Sequence, residues 1–220
     1  MYKRQALNRA LPYVNTPYVI FTDANTMLNK GAIKEIIRQF SDPRVGCVAG
    51  EKRVEIQAEQ GATAGEGIYW KYESALKRLD YRLYSAVGAA GELFAIRTSL
   101  FEQMPPDTLL DDFILSLRIA MRGYKIAYSK EAYALESASL NMREEEKRKV
   151  RISAGGLQSV WRLRGLLNMF RYGILSFQYI SHRVLRWTLT PVVLFALLPL
   201  NLLLACTGHT LYTVILALQL

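Results

Sequence analysis

A run of twenty residues without a charged side chain, residues 188–207, constrains the fold of this chain more than any other feature. At roughly 1.5 Å of rise per residue, a helix of this length crosses a bilayer core of roughly 30 Å. Pro191 and Pro199 favour a membrane helix over a buried core helix, because neighbouring membrane helices satisfy the backbone groups that proline frees. A second apolar run, residues 210–220, follows closely. We therefore expect a transmembrane hairpin, its second span incomplete, at residues 188–220.

The net charge of +9 is concentrated just before this apolar run. Residues 147–187 contain nine basic residues and no acidic one, whereas residues 1–146 contain 19 of each. No signature of a nucleic-acid-binding domain accompanies the basic segment, so we expect anionic membrane lipids as partners and no nucleic acid. Arg186 and Trp187 at the entry to the run are typical interface anchors. The positive-inside tendency predicts a multi-pass protein of the cell membrane with residues 1–187 in the cytoplasm.

Short apolar runs and amphipathic stretches alternate along residues 1–140, which predicts a single α/β domain. The runs that predict strands are residues 18–22, 45–49, 93–96 and 126–128, and the stretches that predict helices include residues 32–40 and 112–121. Residues 141–187 differ, because they are basic and have a helical period of apolar residues. They predict amphipathic helices that lie in the membrane interface. A pair of helices packed against the domain core is the alternative, and both can hold together.

The first candidate site residues follow the predicted strand at residues 18–22. Asp23-Ala24-Asn25 places a carboxylate and an amide at the carboxyl end of this strand, the edge at which α/β proteins bind ligands. Oxygen ligands from Asp23 and Asn25 suit a hard divalent cation, Mg²⁺ or Mn²⁺, which neutralises a diphosphate leaving group. Taken alone, an Asp after a strand is more often part of a turn or a helix cap, and this tripeptide suits that role.

A second acidic pair, Asp111-Asp112, opens the amphipathic stretch that precedes Gly123. A carboxylate at this position suits a general base, which takes the proton of an attacking hydroxyl group. Helix capping and compensation of the helix dipole explain one acidic residue here, and explain two less well. Repulsion between adjacent carboxylates raises the pKa of one of them, which favours the role of a base.

Two further segments complete a pattern. Residues 3–8 read KRQALN, and residues 88–91 read GAAG before the predicted strand at residues 93–96. Together with the two acidic motifs, in this order, they resemble the family-two glycosyltransferases. This group contains the cellulose, chitin and hyaluronan synthases and many exopolysaccharide enzymes.

The resemblance implies a GT-A-like nucleotide-diphospho-sugar transferase domain, followed by interfacial and transmembrane helices. It implies an inverting, metal-dependent transfer from a nucleotide-diphosphate sugar to a glycan or lipid-linked acceptor, in extracellular polysaccharide or cell-envelope synthesis. The site residues that it implies are Asp112 and Asp111 for catalysis, Lys3, Asn8 and Asp23 for the donor, Asp23 and Asn25 for the metal, and Gly88, Gly91, Gln158, Trp161 and Arg162 for the acceptor.

Two departures from the family pattern qualify these expectations. Asn25 stands where the metal motif has a second carboxylate and is a poorer ligand, so Asp23 is the stronger of the two metal ligands. The nearest counterpart of the QxxRW motif, residues 158–162, has its Trp and Arg exchanged, which leaves processivity open.

The strand that seats the nucleobase has no counterpart, so we expect residues 1–140 to lack the N-terminal part of the domain. A nucleotidyltransferase and a non-catalytic membrane scaffold derived from such an enzyme are the alternatives.

Overall fold

A mixed five-stranded sheet forms the centre of the structure, a computed structural model that describes residues 2–55, 63–137, 142–208 and 210–219. The strands are β1 (Tyr18–Thr22), β2 (Thr26–Leu28), β3 (Val45–Glu55), β4 (Leu93–Arg97) and β5 (Lys125–Ser137). Their order in the sheet is β1-β4-β3-β5-β2, with β3 and β5 parallel and every other pair antiparallel. The four strands predicted from apolar runs are confirmed, and β2 is an addition.

Ten α-helices surround and follow the sheet in the described part of the chain. They are α1 (Tyr2–Ala10), α2 (Ala32–Gln39), α3 (Thr63–Leu83), α4 (Asp111–Met121), α5 (Met142–Arg162), α6 (Met169–Tyr172), α7 (Ile174–Tyr179), α8 (Leu185–Trp187), α9 (Leu189–Cys206) and α10 (Thr210–Gln219). Short 3₁₀ turns occur at Leu11–Tyr13, Thr98–Leu100 and Arg164–Leu167, and a π-helical turn at Ile180–Val184 joins α7 to α8. The helices predicted at residues 32–40 and 112–121 are confirmed as α2 and α4.

Alternate residues of the central strands face two separate cores, because successive side chains of a strand point to opposite faces of the sheet. Val48 of β3 packs with Ile36 of α2 on one face. Its neighbour Cys47 packs with Ile114 of α4 on the other face. The sheet is therefore a middle layer, and this confirms the α/β class.

The segment predicted to lie in the membrane interface contributes to the second core. Leu163, Leu166 and Tyr179 are buried together with the residues of α4. Other apolar residues of the segment face outward, and Trp161 (72%) and Phe170 are the most exposed. The core-packing alternative thus holds for one side of the segment, and the interfacial role stays a prediction for the other side.

The apolar run of the sequence forms α9, the one helix among the described residues that is long and apolar enough to cross a membrane, with a mean hydropathy of 2.2. The shorter apolar helix α10 follows it and packs against it. The Asn201 side chain of α9 donates a hydrogen bond of 2.8 Å to Gln219 of α10. The two helices therefore form the predicted hairpin, whereas its position across a membrane remains a prediction.

Candidate active site

The two acidic motifs of the sequence meet at Gly91, in the loop before β4. A Cβ atom added to Gly91 would lie 3.3 Å from an Asp112 carboxylate oxygen and 3.7 Å from an Asp23 carboxylate oxygen. The two carboxylates therefore face the same small space, although they are far apart in the sequence. A side chain at Gly91 would occupy this space, so the glycine keeps it open.

Strand pairing explains how Asp23 reaches this place. Thr22, the last residue of β1, pairs with Leu93, the first residue of β4, so the carboxyl end of β1 lies beside the Gly91 loop. The Thr22 hydroxyl donates a hydrogen bond of 3.1 Å to the Glu92 carbonyl oxygen. The turn after β1 is closed by Thr26, whose backbone N–H and hydroxyl both donate to the Asp23 carbonyl oxygen at 3.2 and 2.8 Å. The Asp23 backbone thus forms the turn that the sequence allowed, while its carboxylate points to the site.

Helix α4 brings the second acidic pair to the same edge of the sheet. Asp111 and Asp112 occupy the first turn of the helix, and the N-cap residue is Leu110, whose apolar side chain makes no capping hydrogen bond. Neither carboxylate is therefore the N-cap, although both interact favourably with the helix dipole. Asp111 and Asp112 also line a narrow cavity with Leu7, Asn8, Phe21, Phe94, Phe101, Met104 and Leu115.

Gly88 has a packing role in the same loop. Its φ angle is +84°, and a Cβ atom would lie 2.3 Å from the Phe113 ring of α4. The next residue, Ala89, donates its backbone N–H to the Ser116 hydroxyl of α4 at 2.9 Å. The loop can thus approach α4 only because residue 88 has no side chain. A role of Gly88 and Gly91 in acceptor binding remains a prediction.

Of the two predicted donor residues on α1, the structure describes the side chain of Asn8. Asn8 exchanges two hydrogen bonds with the backbone of Met104, at 2.9 Å to its carbonyl oxygen and 3.2 Å from its N–H. Its amide therefore ties α1 to the loop before α4, on the wall of the narrow cavity. Lys3 is part of α1, but its side chain lies outside the described residues.

Asn25 is a hydrogen-bond donor in the structure. Its side-chain amide is exposed and donates to a Glu136 carboxylate oxygen at 3.4 Å. An aspartate at this position would face Glu136 with a like charge, which gives a physical reason for the departure from the two-carboxylate motif. The prediction that Asn25 ligates a metal is not tested by this contact.

Glu136 belongs to a cluster of four charged side chains beside Asp23, which the sequence did not suggest. Lys52 of β3, with only 3% of its side chain exposed, pairs with Glu92 at 2.8 Å and with Glu136. Arg148 of α5 lies 3.5 Å from Glu92 and 4.0 Å from Glu136. We name these residues the Lys52 cluster. Burial alone would raise the pKa of Glu92, but the Lys52 ammonium group holds this pKa below its ordinary value.

We expect Lys52→Met to lower the free energy of unfolding by about 3–5 kcal/mol at pH 7, because it leaves buried carboxylates without their main partner. The Glu92 pKa is depressed in the folded state, so its stabilising effect is full above pH 4.5 and is lost as the pH falls through the folded value. The difference between wild type and variant should therefore shrink in acid. Denaturant unfolding in detergent at pH 7 and pH 4 measures it.

The matched control is Lys30→Met, which removes an exposed lysine and should change the unfolding free energy by less than about 0.5 kcal/mol. A difference between wild type and Lys52→Met that is equal at both pH values would contradict the assignment of the effect to the Glu92 pair.

The three acceptor residues predicted from residues 158–162 have different surroundings in the structure. Gln158 and Arg162 point to the loop that precedes α4, and Arg162 lies 2.6 Å from the Asp107 carboxylate. Trp161 is 72% exposed, and the Arg164 guanidinium lies 5.2 Å from its ring centroid. The structure therefore does not bring Trp161 to the two carboxylates, and its acceptor role remains a prediction.

Another tryptophan lies much nearer to the candidate base. The ring of Trp187 packs edge-on against Phe113, the residue after Asp112, with centroids 5.2 Å apart. Residues 183–187 read RVLRW, which keeps the Arg-Trp order of the QxxRW pattern with Arg in place of Gln. Sequence reasoning treated Trp187 as a membrane anchor only, and this motif order was the signal that could have placed it near the site.

A second group of buried charges, also missed from the sequence, attaches this segment to α3. His182 Nδ1 lies 2.6 Å from an Asp80 carboxylate oxygen, and Arg183 and Arg186 both pair with Glu73. Burial alone would raise the pKa of Glu73, but Arg183 and Arg186 lower it below its ordinary value. The segment that leads into α9 is thus fixed to the domain by ion pairs and by Trp187.

Comparisons with known proteins bear on the family and the fold of the chain. Residues 2–155 match the profile of the family described as glycosyltransferase like family 2. The chain is 28% identical over 138 residues to an O-antigen chain rhamnosyltransferase of Salmonella typhimurium, covering 59% of this chain and 44% of the relative. It is 25% identical over 163 residues to a poly-beta-1,6-N-acetyl-D-glucosamine synthase of Staphylococcus aureus, covering 70% and 38%. The chain therefore spans less than half the length of these relatives.

Among solved structures, a mannosyltransferase of Pyrobaculum calidifontis in complex with GDP-Man and Mn²⁺ has a TM-score of 0.65 and 20% identity, covering 99% of this chain and 63% of that one. This similarity confirms the expected GT-A-like fold. The profile match covers well over half of the chain, and the chain belongs to glycosyltransferase family 2.

Proposed function

We propose that this chain is the catalytic part of a membrane-bound, inverting glycosyltransferase. It would move a sugar from a nucleotide-diphosphate donor to a glycan or lipid-linked acceptor in extracellular polysaccharide or cell-envelope synthesis. The observation that carries the proposal is the convergence of Asp23 and Asp112 on Gly91 within a family 2 domain. The relatives named for O-antigen and poly-N-acetylglucosamine synthesis support the class of product.

A divalent cation fits the residues at this place. The described residues contain no group of three or more His, Cys, Asp or Glu side chains arranged to hold a metal alone. Mg²⁺ is commonly held by one or two carboxylates together with substrate phosphates, and Asp23 suits this shared mode. The GDP-Man and Mn²⁺ bound by the structural neighbour support the same pairing of donor and cation. When bound, Mg²⁺ or Mn²⁺ would neutralise charge on the departing diphosphate.

Asp112 would act on the acceptor. Its carboxylate would take the proton of the acceptor hydroxyl group while the hydroxyl oxygen forms a bond to the anomeric carbon. The bond from this carbon to the diphosphate breaks on the opposite face, so the anomeric configuration inverts. Gly91 leaves room for both reacting groups, since a Cβ atom there would lie within 3.7 Å of both carboxylates.

The membrane part of the proposal rests on the charge and the apolar surface of the C-terminal third. Outward-facing Trp161, Phe170 and Phe177 accompany the nine basic residues at 147–187, which suits contact with an anionic lipid surface. Helix α9 would cross the membrane and α10 would begin a second span. The basic segment then supports a cytoplasmic location of the catalytic domain.

The test is sugar transfer by membranes that carry the full-length protein. Donors with uridine, guanosine or thymidine diphosphate are supplied with labelled sugar, and nucleoside diphosphate release is measured together with label in glycan or lipid. We expect turnover with at least one donor, and its loss in excess EDTA. A folded protein with no turnover on any donor would favour the scaffold alternative, and consumption of nucleoside triphosphate with pyrophosphate release would favour a nucleotidyltransferase.

A further inference from the structure

We propose that Gln158 and Arg162 are positioning residues, which fix the loop at residues 107–110 and thereby hold Asp112 in place. This role differs from the acceptor binding that the sequence suggested for both residues. The inference rests on the proposed function of Asp112 as the base. It concerns how α5, a helix outside the sheet, determines the geometry of the candidate active site.

Gln158 uses both ends of its amide on the loop. Its side-chain oxygen accepts a hydrogen bond of 2.8 Å from the backbone N–H of Leu109. Its side-chain nitrogen donates a hydrogen bond of 2.9 Å to the carbonyl oxygen of Asp107. One side chain thus holds the backbone from Asp107 to Leu109 at both of its ends.

Arg162 contacts two side chains of the same loop. One guanidinium nitrogen donates to the Thr108 hydroxyl and another donates to the Asp107 carboxylate, both at 2.6 Å. Thr108 is fully buried, and its hydroxyl donates to the Pro105 carbonyl oxygen at 2.8 Å. The planar guanidinium therefore contacts two neighbouring residues at once, a geometry that Lys cannot reproduce.

Gly155 completes this contact face of α5. Residues 155, 158 and 162 lie three and four positions apart, so they share one side of the helix. A Cβ atom at Gly155 would lie 2.7 Å from Leu110 Cγ and 3.0 Å from Leu109 Cβ. The backbone of α5 thus lies directly against the loop, at the two residues that precede α4.

The loop leads without interruption into the candidate base. Leu110 is the N-cap of α4, its carbonyl oxygen accepts from Ile114 N–H at 3.1 Å, and Asp111 and Asp112 follow in the first turn. A shift of residues 107–110 therefore shifts the Asp112 carboxylate relative to Gly91 and Asp23. A misplacement of about 1 Å at a reacting group can lower a rate about a hundredfold.

The kinetic test uses the full-length protein with Gln158→Ala, Arg162→Ala and Arg162→Lys. We expect kcat to fall by about tenfold to a hundredfold in both alanine variants, with the acceptor KM within about twofold of wild type. Arg162→Lys keeps the charge opposite Asp107 and should recover part of the loss. The matched control Arg164→Ala removes an equal charge from an exposed neighbouring site and should leave kcat unchanged.

Hydrogen exchange at residues 107–112 separates this inference from the proposed function. We expect faster exchange in Gln158→Ala and Arg162→Ala and no change in Arg164→Ala. An increased acceptor KM with normal kcat would overturn the inference and restore an acceptor role. Faster exchange with normal kcat would also overturn it, while leaving Asp112 as the base. Full activity of Asp112→Asn would instead refute the proposed function, whatever the exchange shows.

Discussion

Asp112→Asn should lower kcat of sugar transfer by about a hundredfold to ten-thousandfold, the range that a positioned general base contributes. The amide has nearly the shape of the carboxylate, so packing against Phe113 and the Gly91 loop should be preserved. The amide cannot take up the proton of the acceptor hydroxyl group. Affinity for the donor nucleotide should therefore stay within about twofold of wild type, as measured by titration calorimetry beside the turnover assay.

Asp111→Asn is the matched control for this prediction. Both residues lie in the first turn of α4, so both substitutions remove one charge from the favourable end of the helix dipole. Only the Asp112 carboxylate lies 3.3 Å from the Cβ position of Gly91. An equal loss of kcat in both variants would show that the helix charge, and not a base at Asp112, is responsible.

The sequence predicts the elements of this fold well where hydrophobic pattern alone determines them. The strand at residues 18–22 has the predicted bounds, and α2 and α4 match the predicted helices within about one residue. The Asp111-Asp112 pair follows β4, which is antiparallel to β1, so strand direction alone does not bring this pair to Asp23. The two acidic motifs were assigned to one site through their resemblance to the family pattern.

Charge pairs between distant segments could not be predicted in this way. Lys52 and Glu92 are 40 positions apart, and Glu73 and Arg186 are 113 apart, with no local pattern to connect them. Such a pair depends on which side chains the completed fold buries together. The same limit applies to α5, whose basic and apolar pattern predicted a membrane surface but not its hydrogen bonds to the loop before α4.

Two of the contacts that the sequence did not suggest are made by α5 on either side of the candidate site. Arg148 near the start of α5 reaches the Lys52 cluster beside Asp23, and Gln158 near its end holds the loop before Asp112. One helix thus contacts both halves of the candidate site. We infer that the distance between Asp23 and Asp112 is set in part by α5.

Asp23→Ala should weaken donor-nucleotide binding in the presence of Mg²⁺ or Mn²⁺ by about a hundredfold, equal to roughly 2.7 kcal/mol. The proposed cation is shared between one carboxylate and the diphosphate, so loss of the carboxylate removes the link between protein and phosphates. In EDTA, wild type and variant should bind the nucleotide equally weakly. Titration calorimetry on both proteins, with each cation and with EDTA, measures all six affinities.

Asn25→Ala tests how much of the metal role the second motif position retains. The Asn25 amide donates to Glu136 at 3.4 Å, so its removal should weaken nucleotide binding much less than the loss of the Asp23 carboxylate does. An equal loss of nucleotide affinity in both variants would show that Asn25 contributes as much to metal binding as Asp23. Binding to Asp23→Ala that is as strong as wild type, and equally dependent on the cation, would place the metal on other residues. The contrast between the two variants thus determines whether one carboxylate is sufficient to bind the donor.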